Sequence, residues 1–144
     1  MSALNLDSPS VQSYLGILQG VITRMATNSA NAKAWCIALV SAIVVIIADK
    51  GRPEYVWISC VPIVLFFALD AYYLGLERLF RDVYNGFVRK LHEGTATVED
   101  TFIVTPGTGG QIFGAAARAT GSFSIWPFYL LLIIMLLLVK AWVL

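Results

Sequence analysis

Charge is scarce in this chain. Lys, Arg, Asp and Glu together make up 13% of its 144 residues, about half of the ~25% usual in soluble domains. A soluble globular reading fits this shortage poorly. A nucleic-acid surface fits no better, because the net charge is only +1 and the bases alternate with acids instead of clustering. Histidine occurs once, as His92, and cysteine twice. No metal-ligand cluster and no nucleophile–base pair can be assembled from the spacing, so no cofactor or metal is expected and an enzyme is the weakest functional class. The glycine-rich TPGTGG of 105–110 lacks the Gly-Lys-Ser/Thr ending of a phosphate loop. The first thirty residues lack a basic start, an apolar run and a small-residue cleavage site, so a signal peptide is not expected.

What the chain has instead is apolar length. Hydrophobic residues reach 58%, and three segments carry no charge at all: 34–48, 55–69 and 119–139. The third, of 21 residues, matches the ~20 needed to cross a ~30 Å hydrocarbon core. The first two have 15 each, only about 22 Å of helix, and need flanking residues to complete a crossing. The expected fold is an all-α membrane protein in a single membrane domain. Its parts are an N-terminal amphipathic helix (8–31), a transmembrane hairpin (33–49 and 55–76) whose second helix continues as a cytoplasmic helix (77–93), a loop and short helix (94–120), and a third transmembrane helix (121–143). Seven basic residues (Arg24, Lys33, Arg78, Arg81, Arg89, Lys90, Arg118) fall on one side of these spans and three (Lys50, Arg52, Lys140) on the other. That asymmetry predicts a cytoplasmic N-terminus and an outward Leu144 in a bacterial inner membrane. Trp35, Trp57, Trp126, Tyr129 and Trp142 fall mostly near the expected interfaces, as aromatic anchors do.

Around a turn centred between Gly51 and Arg52, residues whose numbers sum to 103 lie at equal depth. Lys33 then faces Asp70 at the inner edge of the spans, which avoids a lone charge in lipid; a gating or ligand role for Asp70 is the alternative. The same arithmetic separates Cys36 from Cys60 by roughly 10 Å, beyond the ~7 Å that a disulfide bridges. Both are read as small buried thiols. Pro62 is expected to kink the second span.

Two faces follow from helical spacing. Val11, Tyr14, Leu15, Leu18, Ile22 and Met25 form one apolar stripe, begun by Ser8 and Pro9 as cap and first turn. Packing on the cytoplasmic helix is favoured over lying on the membrane surface, because Arg24 is its only basic residue. On that cytoplasmic helix, Leu76, Phe80, Val83, Phe87 and Leu91 make the apolar side. Asp70, Tyr73, Glu77, Arg81 and Tyr84 make a polar stripe, with Glu77 and Arg81 spaced as an ion pair. The stripe is either a solvated surface or, in an assembly around an axis, a lumen or signal-binding face. Lys33, Asp70, Tyr73, Glu77, Arg78, Arg81 and Tyr84 are thus the structural or gating candidates. Ala34, Ala38 and Ala42 recur every four residues and read either as a close-packing seam between helices or as simple alanine richness. In the 94–110 loop, 98–105 could form a short strand.

The runs LGILQGVITRMATNS, KAWCIALVSA, LDAYYLGLERLFRDVYN and SIWPFYLLLIIMLLL resemble a family of small uncharacterised bacterial membrane proteins, most specifically over 68–85. More distantly the chain is similar to SLATT-type transmembrane effectors of prokaryotic defence systems. That resemblance implies a homo-oligomer that forms a pore or disrupts the inner membrane, controlled by a cytosolic defence protein or a nucleotide signal. The lipid bilayer is the other implied partner, and nucleic acid is not one. A membrane anchor or regulatory subunit, recruiting a cytosolic defence protein through the cytoplasmic helix and loop, is the competing function.

Overall fold

The structure is a computed structural model that describes residues 7–142; the Trp142 side chain and Leu144 lie outside the described residues. Four α-helices, with no strand among the described residues, account for the fold: α1 (Pro9–Lys50), α2 (Cys60–His92), α3 (Gly109–Thr120) and α4 (Trp126–Trp142). Short 3-10 segments cover Pro53–Ser59, leading into α2, and Val98–Asp100 in the loop.

The expected amphipathic helix and first span are one helix of 42 residues, about 63 Å long. Its start is as the sequence suggested: the Ser8 hydroxyl accepts from the Val11 N–H, with Pro9 in the first turn. The break expected after Asn31 is absent. Asn residues cost only tenths of a kcal/mol in a helix, up to ~0.7, and no Gly or Pro lies between Arg24 and Lys50. The stop comes at Gly51, whose φ of 60° is left-handed and whose N–H, with that of Arg52, takes the carbonyls of Ala48 and Ile47.

The second span also differs from expectation in its first turns. From Pro53 to Ser59 the chain is 3-10, and the α-helix begins at Cys60. Pro62 therefore sits in the first turn of α2, where a missing N–H costs little, and produces no mid-span kink. From there the helix runs unbroken to His92.

α1 and α2 pair antiparallel over nearly their whole length. Away from the turn, in the lower half, Val11, Tyr14, Leu18, Ile22 and Met25 interlock with Leu76, Phe80, Phe87 and Leu91, and Ala96 of the loop closes the end. The N-terminal stripe thus packs on the extension of α2. Tyr14 meets Phe87 edge to face at 4.8 Å between ring centroids; their numbers sum to 101, close to the register set at the turn. On the turn side, in the upper half, Cys36 and Val40 join Val56, Ile63, Ala71, Ile125, Tyr129 and Leu136.

The outer surface of the upper half is apolar. Trp35, Val45, Ile46, Val61, Val64, Leu131 and Met135 are all 55% or more exposed. Two helices, Pro9–Lys50 and Pro53–His92, are long and apolar enough to cross a membrane, and only 22% and 33% of their most apolar stretches is buried. α4 is shorter, 17 residues or about 25 Å, and replaces the expected 121–143 span. Residues 121–125 form the turn before it. Within 98–105 no strand forms; after Val98–Asp100 the chain is irregular because no second strand is at hand to pair with it.

α3 lies against α2 at Gly75, where a Cβ would fall 2.7 Å from the Ala116 nitrogen and 2.9 Å from the Ala115 carbonyl carbon. Gly75→Ala should therefore cost about 1–3 kcal/mol by forcing backbones apart. Gly86→Ala, where nothing lies within 4 Å, should gain about 0.5–1 kcal/mol from helix propensity. Thermal unfolding of the two purified variants in one detergent checks the opposite signs.

Candidate functional site

The upper and lower halves meet at Asp70. Ser29 and Lys33 are one helical turn apart on α1, so both side chains reach the same point on α2. The Ser29 hydroxyl donates to Asp70 Oδ1. Lys33 Nζ lies 2.5 Å from Asp70 Oδ2 and within 3.5 Å of the Ser29 oxygen. Asp70 is fully buried, and the Lys33 side chain is 20% exposed. The ammonium approaches Oδ2 off the hydrogen-bonding direction, so that oxygen is held by charge alone. α4 contributes a third group: the buried Tyr129 hydroxyl, which has no well-directed partner of its own, lies within interaction range of the same carboxylate. Phe67 fixes the Tyr129 ring edge to face at 5.3 Å.

This arrangement is a clasp between α1 and α2. A lone buried carboxylate would be costly, and removing one partner of a buried pair typically costs ~3–5 kcal/mol. Cys36, a turn from Ala32 on the same side of α1, points its thiol at the Pro62 carbonyl, 3.9 Å away. Cys36 and Cys60 are both free. No group of three or more His, Cys, Asp or Glu that could hold a metal occurs among the described residues.

The polar stripe of α2 is broken up by packing. Asp70 at its head is enclosed, Tyr73 and Tyr84 pack against the lower core, and only Glu77 and Arg81 form a surface pair, at 2.8 Å. Arg78 reaches across to donate to Ser122 Oγ at 2.7 Å, fastening the α3–α4 corner to α2. Ala34, Ala38 and Ala42 are exposed on α1. Ser29, Ser122 and the inward role of Tyr129 were not among the candidates. Ser29 could have been found, since it stands one turn before Lys33 on one face; Tyr129 reads as an interface anchor, and Ser122 gives no signal.

At the opposite end the loop is tied to both helices. Lys90 Nζ meets Asp100 Oδ1 at 2.6 Å, and Asp100 Oδ2 accepts the Thr97 N–H. The Tyr14 hydroxyl donates to the Ile103 carbonyl at 2.6 Å. Phe102 between these ties has φ of 62°, a left-handed conformation rare for a bulky residue. The bond from Lys90, then that from the Thr97 backbone, holds the Asp100 carboxyl down at about 2, from an ordinary 3.8. Burial, with the Asp100 charge second, pushes the Tyr14 phenol up. His92 is exposed, its Nδ1 3.0 Å from the Val88 carbonyl.

No family model, curated protein or solved structure matches the chain.

Two outcomes are expected. Asp70→Asn and Lys33→Met should each destabilise the folded protein by about 2–4 kcal/mol, somewhat below a fully buried pair because Lys33 touches water. The exchanged pair, Lys33→Asp with Asp70→Lys, should recover part of that loss, and chemical unfolding in detergent measures it. The loop ties respond to pH. Since the Asp100 carboxyl is lowered in the folded state, its contribution is complete above pH 3.8 and disappears as pH falls toward 2. The protection of amides at 96–104, relative to the intrinsic exchange rate at each pH, should fall over that range in wild type and be low throughout in Asp100→Asn.

Proposed function

We propose that the protein is an inner-membrane effector that works as a homo-oligomer and controls membrane permeability, with the clasp at Asp70 holding it closed. The observation that carries this reading is a charge pair held inside the protein at the base of the charge-free stretches 34–48 and 55–69. An ionisable group at such a depth is expensive, and function is the usual reason to keep it. The apolar outer surface of the upper half supports insertion, because a water-soluble monomer does not expose so continuous a patch. In this reading α4 is the third crossing, its Lys140 resting 4.5 Å over the Trp57 ring near the outer surface. The basic asymmetry supports a cytoplasmic lower half.

One chain has too few helices to enclose a conduit, so permeation requires several copies. The outward Ala34, Ala38 and Ala42 offer a surface on which α1 helices can approach closely. The closed upper half gives a water path no polar lining. Release of the clasp would supply one, by turning Ser29, Lys33, Asp70 and Tyr129 toward the space between helices. Both long helices cross the clasp without a break, so a cytosolic partner or nucleotide signal acting on the lower half can pull on it directly. The resemblance to defence effectors agrees with such a trigger.

A membrane anchor for a cytosolic defence protein is the second reading. It is favoured by apolar side chains exposed on the loop and α3: Val98, Phe102, Ile103 and Phe113 are 52–77% exposed.

Reconstitution into dye-loaded liposomes separates the two. Wild type should be oligomeric and tight, and Asp70→Asn should leak. A loss of ~3 kcal/mol from the closed state raises the open-to-closed ratio on the order of a hundredfold. Ala38→Leu should reduce assembly without loss of fold. An Asp70→Asn protein that is folded, monomeric and silent, in liposomes and in cells carrying a potential-sensitive dye, would reject the pore and leave the anchor.

A further inference from the structure

α4 stands slightly apart from the hairpin, and the gap on its α2 side is a groove of about 520 Å³. Ile63, Val64 and Phe67 form one wall and Trp126, Leu130 and Ile133 the other. The eight residues of α4 from Trp126 to Ile133 give it a length of about 10 Å. Its lining is apolar throughout, and its place is the half whose outer surface is apolar as well.

Below this groove the chemistry changes sign and character. Arg78 follows Phe67 by eleven residues, three helical turns, and so lies on the same face of α2. Helical side chains lean toward the N-terminus, and the Arg78 guanidinium accordingly reaches back to Ser122 Oγ. Ser122 is one turn before Trp126, whose N–H bonds to the Ser122 carbonyl. One cationic head therefore sits a single turn below the rim of the groove, with one of its five N–H donors engaged. Arg118, in the last turn of α3 and one turn before Ser122, is exposed. Among the described residues it forms no ion pair. The acids in this neighbourhood are taken or displaced: Asp70 is enclosed by Ser29 and Lys33, Glu77 is paired with Arg81, and Asp82 is a further turn from the groove. Phe123, 83% exposed, stacks edge to face with Trp126 at the rim, the position of an interfacial aromatic pair.

We propose that the groove between α2 and α4 binds one acyl chain of an anionic phospholipid, whose phosphate is held by Arg78 and Arg118. The apolar slot accounts for the chain, and Arg78 one turn below it, with Arg118 exposed at the end of α3, accounts for the charge. A zwitterionic lipid finds no free carboxylate there for its amine. Bound in this place, the lipid wedges α4 against α2 next to Tyr129, so it bears on the clasp.

The proposal rests on the membrane reading, and the test keeps the two apart. Fractionation comes first: a full-length chain that stays in solution without detergent would refute insertion itself. For the detergent-extracted chain, native mass spectrometry is run with phosphatidylglycerol or phosphatidylcholine of the same acyl chains, and with glycerol phosphate as a soluble competitor. One phosphatidylglycerol per chain should be retained in preference to phosphatidylcholine and survive glycerol phosphate. Arg118→Gln, at an exposed site where folding is not at stake, should weaken retention about tenfold, the worth of one charge-assisted hydrogen bond. Leu130→Trp, which fills the groove, should reduce retention with both arginines intact. Equal retention of the two lipids, or unchanged phosphatidylglycerol binding in Arg118→Gln and Leu130→Trp, would overturn the proposal. Displacement by glycerol phosphate would show a phosphate site that makes no use of the groove, and would overturn it as well.

Discussion

A carboxylate removed from water must have its charge met inside the protein, and Asp70 has it met by groups from two other helices. Ser29 and Lys33 come from α1, and Tyr129 brings α4 to the same point. The register of α1 on α2 follows from this. α1 and α2 cannot slide by one residue without parting Lys33 from Asp70. α4 cannot turn about its axis without withdrawing Tyr129. Apolar packing in the upper half tolerates many arrangements of similar energy, particularly where lipid would replace protein contacts at little cost. The Ser29 bond to the carboxylate is directional, and it fixes the register of α1 on α2. Its contribution is therefore largely one of specificity, in keeping with the small net energy that buried ion pairs often have relative to apolar residues of equal size.

The two halves are stabilised by different means. The lower half buries Tyr14, Leu18, Phe80 and Phe87 in a core of its own, reinforced by the loop through Lys90–Asp100 and Tyr14–Ile103. The upper half leaves much of its apolar surface uncovered, and grooves of about 520 and 400 Å³ flank α4 on its α2 and α1 sides. A lower half joined by unbroken helices to the clasp can transmit a small displacement to the contacts that α4 makes beside it. In the effector reading that is the route from signal to membrane. In the anchor reading the same stiffness presents the loop and its exposed Phe102 at a fixed height.

Much of this was legible in the residues. Apolar stripes at three- and four-residue spacing gave the pairing of the α1 start with the α2 end, and counting from Gly51 placed Lys33 against Asp70. Other features depended on context. Asn28–Asn31 resembles a helix end because Asn favours caps, yet without Gly or Pro the helix continues, and Ser29 is used for tertiary bonding. The Ala34, Ala38 and Ala42 spacing says that close approach is feasible, and nothing in it says whether the neighbour is α2 or another chain. Pro62 looks like a kink until the 3-10 segment moves the helix start to Cys60. Tyr129 could not be told from an interfacial aromatic, because its role depends on the angle at which α4 returns after the 121–125 turn. Arg78 to Ser122 joins residues 44 apart in sequence, a separation at which single-chain patterning carries no information.

The central claim is that the clasp at Asp70 keeps α4 and the hairpin in the closed arrangement, and a distance measurement tests it most directly. Spin labels at Ile37 on α1 and Met135 on α4, which line the smaller groove, would be introduced in a chain with Cys36 and Cys60 replaced by alanine. Pulsed electron spin resonance in lipid should then give one narrow distance distribution with Asp70 present, and a longer, broad one in Asp70→Asn. Identical narrow distributions in the two proteins would contradict the account, since α4 would then be held by its apolar contacts alone.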